Sequence, residues 1–487
     1  MMRGRAKIKT VLASVIVGLF LSGCAVGPDF SRPQTKAGKS SGFINHVYNE
    51  GDKNGTMNRW WERLNDPLLD QYVTQLLEQN LQLVEAGERI VQARESVTSG
   101  KAAYVPTLSV GGNGGRSFSS NAGTRNYTNT YQANLNSSWE LDLFGKIGRT
   151  VEAANARYIA SVYDREALTH VLIAQLLNVR VEIAANKRLL ELAQRNEKNR
   201  ANMLQLVQRR YAQGARNTRP QDIYRAEDNL TSVKADVHRY QQRMADAIYR
   251  LDVLLGQTPG TTNPLEMDFP MMARAVDVPV CLPVNLLDRR PDLRASELRI
   301  KAANADIGVA IADLYPSLSF TGSLGFSRTS TGGLFSAEQL AGSLLGNIVT
   351  RLFEGGALRA NIRIRESQAR ELAAGYAEDV LNAMREVETN LKADHELGGV
   401  LENAQASQTA LQKAEDIVHD RYLRGIDTLQ NLLDTQRSLY IAEQAVISAQ
   451  NDKWNARTSL YLALGGDWFG DAVEKACLKG KDHEQKQ

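Results

Sequence analysis

The sequence predicts an α+β membrane protein in which β-strands alternate with very long coiled-coil helices, the whole pattern occurring twice. Three features carry this expectation: an internal repeat, unbroken three-and-four apolar spacing along extended segments, and strict period-two alternation between them.

The repeat sets the frame. Tyr104-Val105-Pro106-Thr107-Leu108-Ser109 recurs as Leu314-Tyr315-Pro316-Ser317-Leu318-Ser319, and Leu143-Phe144 near Gly145 recurs as Leu352-Phe353 near Gly355. Tyr211-Ala212-Gln213-Gly214 returns as Tyr422-Leu423-Arg424-Gly425, and Leu254-Leu255-Gly256 as Ala463-Leu464-Gly465. Arg89-Ile90 with Ala93 matches Arg299-Ile300 with Ala303. Order is kept at an offset of about 210 residues, which marks a tandem duplication.

Each half reads as helix, two strands, a very long helix, a tight turn and a returning helix. In the first returning helix, Ile223, Ala226, Leu230, Val233, Val237, Tyr240, Met244, Ala247, Leu251 and Leu254 form a heptad seam. The outgoing helix has Leu172, Leu176, Val179, Ile183, Leu190 and Ala193, with Asn186 at one seam position. The second half repeats the rule with Val400, Ala404, Ser407, Leu411, Ala414 and Val418. After its turn come Leu432, Thr435, Leu439, Ala442, Val446 and Ala449. A helix from about Arg149 to Ala212 would be ~95 Å long.

From Tyr127 to Leu143 the even positions are all polar, whereas Tyr127, Tyr131, Leu135, Trp139, Leu141 and Leu143 stand on the odd face. Leu108, Val110 and Phe118 alternate likewise, as do Leu318, Phe320, Leu324 and Phe326. Such alternation suits strands with one face in lipid. Four strands cannot close a membrane barrel, and open edges in lipid are costly, so strands in a bilayer must be shared between chains. Two copies or three would serve.

The N-terminus supplies the compartment. Arg3, Arg5, Lys7 and Lys9 precede an apolar run from Val11 to Phe20, and Leu21-Ser22-Gly23-Cys24 reads as a lipobox. Cys24 is then the lipidated N-terminus of an exported chain, and Ala25 beside it favours the outer membrane. After Cys24 no stretch approaches ~18 consecutive apolar residues. The formal net charge of +3 on 487 residues argues against nucleic acid. The six histidines show no metal-ligand spacing, so no metal or cofactor is expected beyond the covalent N-acyl diacylglycerol on Cys24. No nucleophile–base constellation is present, so the chain is not expected to be an enzyme. Asp394-His395-Glu396 reads as a solvated helix face, Trp60 and Trp61 as packing residues, and Pro291 as the first turn of a helix.

These residues bring a family into view. The chain resembles the outer-membrane efflux factors, the TolC-like channels, in their lipid-anchored branch, over nearly its whole length. The likeness rests on Cys24-Ala25-Val26-Gly27-Pro28-Asp29-Phe30 with Pro33, and on Trp60-Trp61 with Asp66-Pro67. It continues through Trp139-Glu140-Leu141-Asp142-Leu143-Phe144-Gly145, Arg289-Arg290-Pro291-Asp292-Leu293-Arg294 and Tyr422 to Arg437. The resemblance implies a homotrimer with a twelve-stranded outer-membrane barrel, four strands per chain, continuous with a periplasmic helical tunnel. It implies a passive exit channel of a tripartite efflux system, partnered by a periplasmic adaptor and an inner-membrane drug pump. A protein-secretion exit channel and a pore-less periplasmic adaptor are the alternatives.

The implied organisation is a signal peptide at 1–23, a lipid-anchored extension at 24–66, the first repeat at 67–256, an equatorial linker at 257–290, the second repeat at 291–465 and an equatorial tail at 466–487. The family's acidic gate maps onto Asp434, with Asp427 nearer the turn as the weaker candidate. Asn431 stands where some members carry a second acid, so a single acidic ring is expected. The adaptor-docking tip maps onto Tyr211, Gly214, Ala215, Tyr422, Gly425 and Ile426. Cys281 and Cys477 are candidates for a disulfide.

Overall fold

A computed structural model describes residues 25–34, 43–44, 60–64, 66–121, 124–215, 218–263, 269, 288–332 and 334–465. The signal segment, Cys24, Cys281, Cys477, most of the 257–290 linker and the 466–487 tail lie outside the described residues.

The duplication is visible in element lengths. Helices α1 (Pro67–Gln79) and α2 (Leu81–Ala102) precede strands β1 (Thr107–Asn121) and β2 (Thr124–Leu141), then α3 (Lys146–Ala212) and α4 (Pro220–Leu254). The second half brings α5 (Pro291–Ala312), β3 (Ser317–Arg328), β4 (Leu340–Val349), α6 (Ala357–Leu423) and α7 (Leu429–Ala463). Helices α3 and α6 each have 67 residues, and α4 and α7 each have 35. The chain divides into two compact units that each draw on both halves: 1–34, 88–162 and 294–377 form one, the remainder the other.

In the first unit the strands form one antiparallel sheet in the order β1-β2-β3-β4. Val110 faces Leu135, which faces Leu324; Trp139 faces Phe320, and Leu318 faces both Leu141 and Ile348. Apolar residues therefore share one side, and many stand in the open: Val110 is 84% exposed and Leu344 78%. The strand expected to reach Leu143 stops at Leu141, because Asp142 turns the chain by accepting the Gly148 N–H at 2.7 Å. Residues 25–34 lie along this unit. Arg149 donates to Val26 O at 3.3 Å and Asp29 Oδ1 at 2.8 Å, Asn304 to Pro28 O at 2.8 Å, and Arg32 pairs with Glu297 at 2.9 Å.

The second unit is helical. Asp66 caps α1 by accepting the N–H groups of Leu68 and Leu69, and its other oxygen faces the buried Arg180 at 3.4 Å. Trp60 stacks on Tyr461 with centroids 4.6 Å apart, and both Trp60 and Trp61 are buried, as packing residues should be. The α4 seam is buried or half-buried at all ten positions, and in α3 only Leu190 of the seam is half-buried rather than buried. One 18-residue window of α3 is apolar enough to cross a bilayer by composition, but 61% of it is buried, as befits a core helix.

Helix α6 departs from expectation. No residue of its seam is buried: Val400 and Ser407 are exposed, and Ala404, Leu411, Ala414 and Val418 are half-buried. Heptad spacing fixes a face without saying which chain covers it. Asp394 also departs, since it is no merely solvated acid but pairs with the buried Arg457 at 3.4 Å.

Candidate functional site

The two hairpin turns lie in the second unit and end alike. After α3, Gly214 N–H bonds to Tyr211 O at 3.0 Å and Ala215 N–H to Arg210 O at 3.0 Å. After α6, Gly425 N–H bonds to Tyr422 O at 3.0 Å and Ile426 N–H to Arg421 O at 2.9 Å. These are paired Schellman closures, which need a residue in the left-handed region at the helix end. Gly214 and Gly425 provide it with φ of 69° and 77°, and open space surrounds the position of a Cβ at each.

Beneath the turns, Met203, Val207, Ala226, Tyr422, Leu429, Leu432 and Leu433 form a local core. The tip candidates are not equivalent. Tyr211 is 45% exposed and Ile426 63%, with Gly214, Ala215 and Gly425 also exposed, while Tyr422 is only 6% exposed. Arg210 covers Tyr422: its guanidinium stands 4.8 Å from the ring centroid and donates to Tyr422 O at 3.3 Å and Leu423 O at 3.0 Å. Burial pushes the Tyr422 phenol up.

The two acids separate sharply. Asp427 accepts the Asn431 amide at 3.0 Å and the Thr428 N–H at 2.8 Å, and faces Arg421 at 3.4 Å. These contacts, the Asn431 bond first, hold its carboxyl below the usual range. Asp427 thus supports the start of α7, where Thr428 caps the Asn431 N–H. Asp434, one turn further on, is exposed, and among the described residues nothing pairs with its carboxylate. It is the sixth residue of α7; the sixth residue of the matching helix α4 is Arg225, which donates to Gln430 Oε1 at 3.0 Å. The duplication therefore supplies one such acid per chain.

Further along, Tyr440 OH donates to Asp236 at 3.2 Å and Gln444 donates to Tyr240 OH at 2.9 Å, joining α7 to α4. Burial and the Asp236 charge raise the Tyr440 phenol. Arg200 is only 4% exposed and donates to Asn229 O at 2.9 Å, and burial lowers its pKa. Sequence reading missed Arg200 and Arg210, since an arginine on a long helix gives no periodic signal of burial. Among the described residues no cluster of three metal-ligating side chains occurs.

Known proteins share this architecture. The family model for outer membrane efflux proteins matches residues 72–257 and 282–466. The chain is 29% identical over 486 residues to a probable efflux pump outer membrane protein, TtgC, of Pseudomonas putida, with 97% of this chain and 99% of that one covered. It is 28% identical over 463 residues to outer membrane protein OprJ of Pseudomonas aeruginosa, covering 94% and 96% respectively. The open state of the Neisseria gonorrhoeae MtrE outer membrane channel superposes with a TM-score of 0.77 at 28% identity, over 91% of this chain and 98% of that one.

Proposed function

The chain belongs to the outer membrane efflux protein family, and we propose that it is the exit duct of a tripartite pump, conducting drugs and other small toxic compounds to the cell exterior. Its fold is that of the family's trimeric outer-membrane channels. The sheet carries the reading: four strands with an exposed apolar side make an incomplete barrel, and three chains supply twelve strands. Relatives named for antibiotic and toluene efflux favour small molecules over protein secretion. The duct is passive and performs no catalysis.

The finer assignments are these. Cys24 carries the N-acyl diacylglycerol anchor. The periplasmic adaptor of an inner-membrane pump docks at the turns, on Tyr211, Gly214, Ala215, Gly425 and Ile426, with Tyr422 beneath them as support. Asp434 forms the selective ring of the closed tip, and its free carboxylate favours it over the engaged Asp427. Cys281 and Cys477 pair; mass spectrometry finding both thiols free in exported protein would end that assignment.

Electron microscopy of the lipidated protein in mild detergent tests the duct. A hollow threefold cylinder longer than ~100 Å is expected from the helices. A solid rod or a monomer would bring the pore-less adaptor forward.

A further inference from the structure

Arg200 has a placement that helix packing does not require. Its counterpart in α6 is Leu411, and that of Asp236 in α7 is Ala445, so the second half builds the same helix pair without either charge. In the first half the guanidinium is buried, and its Nη1 donates to Asn229 O at 2.9 Å and to Ser232 Oγ at 3.5 Å. Nε and Nη2 are buried without a hydrogen-bond partner, as are both amide atoms of the Asn229 side chain. Among the described residues no carboxylate pairs with Arg200, and Arg437 on α7 adds a like charge that lowers its pKa further. A buried cation in that state is costly.

The missing countercharge stands one turn away. Asn229, Ser232 and Asp236 follow at steps of three and four along one face of α4. A long side chain on α3 leans toward the start of its own helix, which in an antiparallel hairpin is toward Asp236. Tyr440 occupies the contacts of both: its ring centroid lies 5.4 Å from the Arg200 guanidinium carbon, and its OH donates to Asp236 Oδ2 at 3.2 Å. Asp236 Oδ1 meanwhile pairs with Arg239 at 2.6 Å. Leu192, Val233, Val237 and Tyr240 complete the core around Tyr440 from within the same chain, so this burial does not depend on a neighbouring copy.

Tyr440 rides on the helix that carries Asp434, about 9 Å further along. Widening a ring of Asp434 moves the start of α7 away from α3 and α4, and Tyr440 leaves with it. We propose that Arg200 and Asp236 form an ion pair when Tyr440 withdraws, so that Tyr440 is a wedge in the closed tip and the pair captures the open one. This rests on the duct reading and goes beyond it. The tip becomes a two-state device, because the buried guanidinium meets its countercharge only with α7 displaced.

The test uses full-length lipidated trimers, recorded as single channels in a planar bilayer and imaged by electron cryo-microscopy. Y440A should raise the open fraction at least about fivefold, and its structure should show the Arg200 guanidinium on the Asp236 carboxylate. Y440F keeps the wedge and should stay near the unmodified protein. In the Y440A background, R200M or D236N should remove most of the gain. Were the two charges ordinary links of the closed tip, those substitutions would open it further, and that outcome overturns the proposal. So does Y440F opening as far as Y440A, or Arg200 remaining on Asn229 in the Y440A structure. R200M alone leaves the tyrosine in place and should raise the thermal midpoint of the trimer while lowering the open fraction. A lower midpoint would make Arg200 a packing residue and also overturns it. Silence of every protein in the bilayer would strike the duct reading, and the Y440A structure with the R200M midpoint would then decide the pair by themselves.

Discussion

Arg210 of α3 holds the end of α6 by three contacts at once: the Tyr422 ring at 4.8 Å, Tyr422 O at 3.3 Å and Leu423 O at 3.0 Å. Those carbonyls belong to the last turn of α6, where Tyr422 O also accepts the Gly425 N–H at 3.0 Å and Leu423 O gains its donor from across the hairpins. One side chain thereby ties the two hairpin turns together.

Arg210→Ala should free the second turn from the first. The lost bonds are worth about 2 kcal/mol in total at this half-exposed site. Trimers should persist while single-channel conductance rises and cells admit more of a large dye. Unchanged conductance would reduce Arg210 to a helix cap.

Asp434→Ala should lower cation selectivity in a planar bilayer with little effect on thermal stability, since among the described residues nothing bonds to its carboxylate. Asp427→Ala should do the reverse, weakening the start of α7 and leaving selectivity intact, because its oxygens are engaged by Thr428, Asn431 and Arg421. Selectivity that follows Asp427 instead would reassign the ring.

Gly425→Trp should leave a folded trimer that no longer supports drug resistance. The site has open space, so the penalty is the left-handed φ of 77°, roughly 1–2 kcal/mol. Loss of the trimer would mean that Gly425 serves only to end the helix.

The strand register predicts how chains join. Thr107 pairs with Ser138 as Ser317 pairs with Val349, so the two hairpins correspond. Carrying the pair Ser137 and Gly322 through that correspondence sets Ile348 opposite Gly112 of the next chain, apolar side against apolar side. Cysteines at 348 and 112 should cross-link trimers on oxidation in a background lacking Cys281 and Cys477. Cysteines at 349 and 112 should not, because they stand on opposite sides.

Burial lowers the His170 pKa to about 4, against an opposing pull from Asp292. The unfolded chain takes up a proton near 6.5 while the folded one does not, so this group's contribution is whole above that pH and is lost as pH falls toward 4. The loss approaches about 3 kcal/mol. Thermal midpoints should fall between pH 7 and 5, and His170→Gln should flatten that slope. A parallel slope in the variant would assign the effect to other groups.

Much of this was legible in the residues. Heptad spacing located the α4 seam because Ala226 to Leu251 are covered within the chain, and alternation located β2 because its apolar residues gather on one side of the sheet. The α6 seam misled on burial, since Val400 and Ser407 wait for a cover that periodicity does not specify. Gly214 and Gly425 announced the turns, yet nothing distinguished the covered Tyr422 from the open Tyr211, because an arginine across the hairpins decides it. The family resemblance set Asp434 ahead of Asp427; the geometry of the helix start adds that Asp427 is engaged by Thr428 and Asn431, whereas among the described residues nothing pairs with Asp434.

The matched helix lengths make the two halves a pair of calipers. Removing one residue from α3 alone would draw its turn back about 1.5 Å and rotate it by 100°, carrying Arg210 off the Tyr422 ring. The same deletion made in α6 as well would keep the two turns level. Length is therefore held jointly by the two helices, so insertions and deletions should survive only as twins.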